Sequence, residues 1–113
     1  MALKAAPELD RTLAALADPQ RRRVIELLRE GPRRASDIAK ALALKPPALS
    51  RHLRALKASG LVEDAHPAFD ARVRIYTLRP QSMERLKTWL ADTDRLWARQ
   101  LLAFKDHVRR RGK

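Results

Sequence analysis

Residues 41–62 read ALALKPPALSRHLRALKASGLV, and the fold turns on how this stretch divides. Pro46-Pro47 fits a helix start, where neither ring removes a needed donor. Gly60 fits the residue just past a helix end, in left-handed conformation. Between them Leu49, Leu53 and Leu56 make one apolar stripe, and Ser50, Arg51, Arg54 and Lys57 fill the other side. No acid lies between Lys40 and Leu61. A solvated helix face normally mixes both signs of charge, so a face of one sign points to an anionic partner.

The neighbouring segments are short and regular. Leu9, Leu13 and Leu16 have helical spacing, which predicts a first helix from near Pro7. Asp18-Pro19 reads as an N-cap followed by proline at the first helical position. The second helix runs through QRRRVIELLRE with Val24, Ile25, Leu27 and Leu28 inward, and Gly31-Pro32 stops it. A third, from near Ala35 to Leu42, has Ile38, Ala39 and Leu42 as its apolar face. Only a few residues separate it from the helix opened by Pro46, which predicts a helix-turn-helix. Beyond Gly60 the period changes. LVEDAH and RVRIYTL (72–78) alternate as strands do, and HPAFDA between them carries the turn formers Pro67 and Asp70. The alternation sets Val73 and Ile75 against Arg72, Arg74 and Tyr76 without saying which face is outward. Pro80 opens a last helix striped by Leu86, Leu90, Thr93, Trp97, Gln100 or Leu101, and Phe104, in steps near a heptad. RRRGK at the end is expected to fray.

The expected fold is mainly α: a winged helix-turn-helix with a two-stranded β wing and a long C-terminal dimerisation helix. One domain over 1–113 is expected. Its core covers about 8–79, the last helix 80–107, and a basic tail 108–113.

The 113 residues suit one domain, and such a length buries enough surface to fold without disulfides. The absence of cysteine removes disulfides, thiolate metal sites and cysteine catalysis. MALKAAPELD has no apolar run for a signal peptide, and no window approaches a membrane span. A soluble cytoplasmic protein is expected. Lys plus Arg number 25 against 13 Asp plus Glu, a net charge of +12, which attracts polyanions.

The major groove of B-DNA admits one α-helix, and a helix-turn-helix places its second helix there. The leucine stripe would hold that helix on the domain. Pro47, Ser50, Arg51 and Arg54 would face DNA, with His52 at the margin and Lys45 and Lys57 at the ends. Arginine pairs with guanine through two hydrogen bonds, and serine reaches a base edge or a phosphate. Arg72 and Arg74 on the wing would follow the minor groove or the phosphates. An ordinary surface helix with snorkelling arginines carries the same periodicity. The short helix before it and the basic hairpin after it favour DNA. Enzyme chemistry finds no support. Ser50 and His52 do not face each other on a helix. Three glycines make no phosphate loop. The carboxylates Glu63-Asp64 and Asp92/Asp94 read as solvated turn or helix residues. RNA readers usually expose aromatics for stacking, and of the five here Trp89, Trp97 and Phe104 fall on or near the apolar side of the last helix.

In combination, ALADPQRRRVIELLREG, ASDIAKAL, PPALSRHLRALKASGLV and RVRIYTL resemble the ArsR-type winged helix-turn-helix repressors, and the resemblance runs from about Leu9 to Phe104. WLADTDRLWARQLLAF is similar to a branch with a long tryptophan-bearing C-terminal helix. The resemblance implies a homodimeric repressor of its own or a neighbouring operon, acting on a palindromic double-stranded operator. It also implies a dimer interface from the first and last helices, here Leu9, Leu13, Leu86, Leu90, Trp97, Leu101 and Phe104. Metal-responsive members carry two cysteines at the start of the third helix. The matching positions are Arg34 and Ser36, before Asp37-Ile38, and neither supplies a thiolate. Asp92 and Asp94 begin another such site, but no histidine follows at a fitting spacing. No metal or cofactor is expected, although a site shared across a dimer stays open. Lys45 stands where a serine or threonine cap is usual, a loss of about 1 kcal/mol, and adds a cation beside the DNA backbone. Charge-driven nonspecific nucleic-acid binding, a repressor with an atypical metal or ligand site, and a protein-interaction module are the other readings.

Overall fold

The computed structural model describes residues 7–112. Five helices and three short strands follow in the order α1 (Pro7–Leu16), α2 (Pro19–Leu28), β1 (Arg33–Arg34), α3 (Ala35–Leu42), α4 (Pro46–Ala58), β2 (Val62–Ala65), β3 (Ile75–Leu78) and α5 (Pro80–Arg111). The chain divides into two compact units, residues to Met83 and residues from Glu84. None of the described helices is long and apolar enough to cross a membrane.

The first unit closes on one apolar core. Val24, Ile25 and Leu28 of α2, Ile38 and Leu42 of α3, and Leu49, Leu53 and Leu56 of α4 meet there with Ala15, Leu61, Val62 and Tyr76. Burying a leucine fully contributes about 2 kcal/mol, so the stripe predicted for α4 is what binds that helix to the domain. Asp18 is the N-cap of α2, accepting from the backbone N–H of Gln20 and of Arg21.

The two helices of the helix-turn-helix end in the same way. After α3, the N–H of Leu44 donates to the Ala39 carbonyl and that of Ala43 to the Lys40 carbonyl. After α4, Leu61 donates to Leu56 and Gly60 to Lys57. Both are Schellman ends, which need a left-handed residue and set an apolar side chain just beyond it. Gly60 takes that conformation at φ 79, and Leu61 is buried behind it. At the other end an alanine takes it, Ala43 at φ 54. A left-handed alanine costs about 1–2 kcal/mol, partly offset because glycine loses more freedom on folding. Ala43→Gly is therefore expected to stabilise the protein by about 0.5–1 kcal/mol, read as a higher midpoint in a thermal melt. A lower midpoint would contradict it.

The sheet differs from the expected hairpin. It has three antiparallel strands in the order β1-β3-β2. β1 pairs Arg33 with Tyr76 and Arg34 with Ile75, and β2 pairs Asp64 with Tyr76. The expected strand 72–78 is regular only from Ile75, because Arg72, Val73 and Arg74 belong to the wing loop. Tyr76 turns into the core while Arg72 and Arg74 are exposed, so residues that strict alternation puts on one face part company.

The second unit is α5 beyond its first turn. The helix continues to Arg111, so most of the tail expected to fray is helical. Arg109, Arg110 and Arg111 lie in its last turn, where cations meet the negative end of the helix dipole.

Candidate nucleic-acid interface

Lys45 is the N-cap of α4, and its backbone is extended, as the residue before a proline favours. Its side chain forms no cap. Behind the helix Leu49, Leu53 and Leu56 are buried, and in front Lys45, Pro47, Ser50, Arg51, Arg54 and Lys57 are exposed. Among the described residues Lys45, Arg51 and Arg54 form no ion pair, which leaves their donors facing water.

His52 behaves differently from its neighbours. It is half-buried, its Nδ1 has no hydrogen-bond partner, and its positive field reaches Asp18 at the start of α2. Partial burial pushes the Asp18 carboxyl up. The backbone N–H groups of Gln20 and Arg21 and the fields of His52 and Arg21 outweigh it, so the carboxyl lies below its ordinary 3.8.

The wing loop, residues 66–74, is braced by its own polar groups. Asp70 N–H donates to the Pro67 carbonyl at 3.2 Å, and Asp70 Oδ1 accepts from the Arg72 backbone N–H at 3.0 Å and from Arg72 Nε at 3.3 Å. Those two bonds, with the field of Arg34, hold the Asp70 carboxyl below 3.8 against a smaller effect of burial. His66 Nδ1 lies 2.9 Å from the Val73 carbonyl, and since a carbonyl only accepts, that nitrogen carries the proton. Phe69 stands out of the loop, 79% exposed, a feature that reading HPAFDA for turn formers passes over.

One residue links wing and helix. Asp64, in β2, places Oδ1 2.6 Å from Lys57 Nζ and Oδ2 3.5 Å from Arg74 Nε. Its side chain is only 9% exposed, so the reading of Glu63-Asp64 as solvated carboxylates is corrected for Asp64. Sequence spacing carries no signal for this pairing, since the three residues come from a helix, a strand and a loop. The Lys57 hydrogen bond leads in lowering the Asp64 carboxyl below 3.8; burial opposes it, and the charges of Lys57 and Arg74 add to it. The folded carboxyl thus holds its proton more weakly than the unfolded one. Its stabilising effect is complete above the ordinary value and is lost as pH falls through the folded value. Asp64→Asn is expected to cost about 1–3 kcal/mol near neutrality. Its melting curve should converge with that of the parent as melts descend to pH 2, and a constant gap at all pH values would contradict it.

Arg34 and Ser36, at the positions where the family resemblance puts thiolates, line a cleft of about 380 Å³ together with Ala35, Arg72, Val73, Arg74 and Tyr76. Among the described residues no three His, Cys, Asp or Glu side chains gather as a metal site would require.

The predicted interface residues of α1 and α5 fall into two groups. Leu9 and Leu86 are buried within the single chain. Leu13, Leu90, Trp97, Leu101 and Phe104 are exposed, at 38%, 51%, 68%, 52% and 63%. Val108, four residues past Phe104 and 52% exposed, extends the stripe to the first residue of the expected basic tail.

Known proteins match this arrangement. A family model described as bacterial regulatory protein, arsR family, matches residues 18–64, from the cap of α2 to Asp64. The HTH-type transcriptional regulator Rv2034 of Mycobacterium tuberculosis is 39% identical over 103 residues, 91% of each chain. Among solved structures, an ArsR-like transcriptional regulator from Rhodococcus sp. RHA1 aligns with a TM-score of 0.74 at 30% identity, over 88% of this chain and 92% of that one. A Mycobacterium bovis protein, described as a homodimeric winged helix-turn-helix DNA-binding domain and possible ArsR-family regulator, aligns at 0.63 and 26% identity over 83% and 90%. With the fold, the basic outer face of α4 and a relative of nearly full length in agreement, the chain belongs to the ArsR family of bacterial transcriptional regulators.

Proposed function

We propose that the protein is a cytoplasmic repressor that binds a palindromic double-stranded operator as a homodimer, and so occludes its own or a neighbouring promoter. The observation that carries this reading is the outer face of α4. Arg51 and Arg54 project from a helix anchored by three buried leucines, with no carboxylate to occupy them among the described residues. Guanidinium groups held on a rigid helix are suited to guanine edges. Ser50 and Pro47 flank them, and Lys45 at the helix start supplies a phosphate contact. Arg72, on the wing loop, faces the adjoining backbone.

The exposed stripe of α5 supports the dimer. Leu90, Trp97, Leu101, Phe104 and Val108 leave more large apolar side chains in water than a monomer tolerates. The M. bovis relative is homodimeric. Two α4 helices would then enter successive major grooves about 34 Å apart.

Binding of the purified protein to a duplex from its own upstream region, against a shuffled duplex and across a salt series, tests the reading. Preference for the native duplex that persists near 0.15 M salt, a concentration at which surface charges are screened beyond about 8 Å, is the expected result. Equal binding that vanishes with salt would mean that charge alone is at work.

A further inference from the structure

We propose that Asp64 sets the sequence discrimination of the DNA-binding surface, by withholding Lys57 of α4 and Arg74 of the wing from phosphates and fixing the wing against the end of the recognition helix. This rests on the DNA-binding reading above.

The geometry gives each cation its own carboxylate oxygen, Lys57 at 2.6 Å and Arg74 at 3.5 Å. The exposures are unequal. Lys57 and Arg74 are 55% and 57% exposed, whereas the Asp64 side chain is 9% exposed. A DNA phosphate competing for either cation must therefore leave a nearly buried carboxylate without that partner. Breaking such a pair costs more than an exposed phosphate contact returns. Lys57 and Arg74 lie on the basic surface, yet act as struts. The cations left for DNA on α4 are Lys45, Arg51 and Arg54.

The consequence concerns the ratio of specific to nonspecific binding. Phosphate contacts raise affinity for every sequence, and base contacts alone raise it for one. Removing two cations from the phosphate-reaching set lowers background binding and leaves Arg51 and Arg54 untouched. A strut between β2, the wing loop and α4 also holds the wing at one spacing from the base-reading face, so only a duplex that fits both at once is bound fully.

Asp64→Asn removes the charge and keeps the shape. With folding and dimerisation checked by circular dichroism and light scattering, the full-length variant and its parent are titrated across salt on the native upstream duplex and on the shuffled one. Release of two cations should steepen the log–log salt slope by up to about 1.8 on the shuffled duplex, at about 0.9 per phosphate contact. Affinity for that duplex should rise at least about tenfold at 0.1 M salt, where each such contact is worth about 0.9 log units. The native duplex should gain less, because the wing is no longer held at its spacing, so discrimination falls. An unchanged slope with unchanged discrimination overturns the proposal and leaves Asp64 a purely structural residue. If the variant does not fold, the wild-type protein decides. The carboxyl carbon-13 resonance of Asp64 should stay where it is when DNA is added, and a move toward that of a free carboxylate overturns the proposal. A wild-type protein that binds both duplexes equally overturns the operator reading, while the slope of the variant still reports whether Asp64 withholds cations. A wild-type protein that binds neither overturns both.

Discussion

Replacing Arg51 and Arg54 together by alanine is expected to abolish the preference for the native duplex while leaving the fold and the dimer intact. Both side chains are exposed and unpaired among the described residues, so their loss should change stability by about 0.5 kcal/mol or less. Alanine is also the strongest helix former, so α4 should persist. On DNA the cost is far larger. Each arginine paired to a guanine is worth about 1–3 kcal/mol of discrimination. Two give about 2–6 kcal/mol, or about thirtyfold to more than ten-thousandfold, since 1.4 kcal/mol is a factor of ten. Competition binding on native and shuffled duplexes separates this from loss of charge alone, which would weaken both duplexes equally. A double variant that keeps its native preference would remove α4 from base reading.

The second large effect is expected on α5. Trp97 and Phe104 are seven residues apart, on one face of the helix, and 68% and 63% exposed. In an interface such aromatics are the usual hot spots, at about 2 kcal/mol or more each. Trp97→Ala with Phe104→Ala should therefore weaken the proposed dimer by about 4 kcal/mol, close to a thousandfold. Sedimentation equilibrium at micromolar concentration would then find monomer where the parent is dimeric. Because neither side chain is buried in the protomer, the first unit should melt as before. A variant that remains dimeric would move the interface off this stripe. Leu9 and Leu86 make poor probes of the same question, since both are buried within one chain and their truncation would report on folding as well.

Local signals made α2, α3 and α4 legible. Asp18-Pro19, Gly31, Pro46-Pro47 and Gly60 act within one helical turn, and the leucine spacing of α4 assigns its faces with no knowledge of what lies opposite. The start of α5 at Pro80 was legible for the same reason. Its end was not, because Arg109 to Arg111 read as a charged tail until the helix dipole they complete is present. The sheet was legible only in part. β1 consists of Arg33 and Arg34, two residues without strand character, and becomes a strand only because Ile75 and Tyr76 offer them backbone partners.

The side chains proposed to face DNA divide in the same way. The sequence by itself determined that Arg51 and Arg54 face away from the core, because helical periodicity and burial of Leu49, Leu53 and Leu56 leave them no other direction. What only the tertiary structure decided is which neighbouring cations are occupied. Lys57, Asp64 and Arg74 are far enough apart in the chain that no period relates them. Folding brings them together because β2 follows α4 through the Gly60 turn and the wing returns alongside β2, so one nearly buried carboxylate meets a lysine and an arginine from different elements.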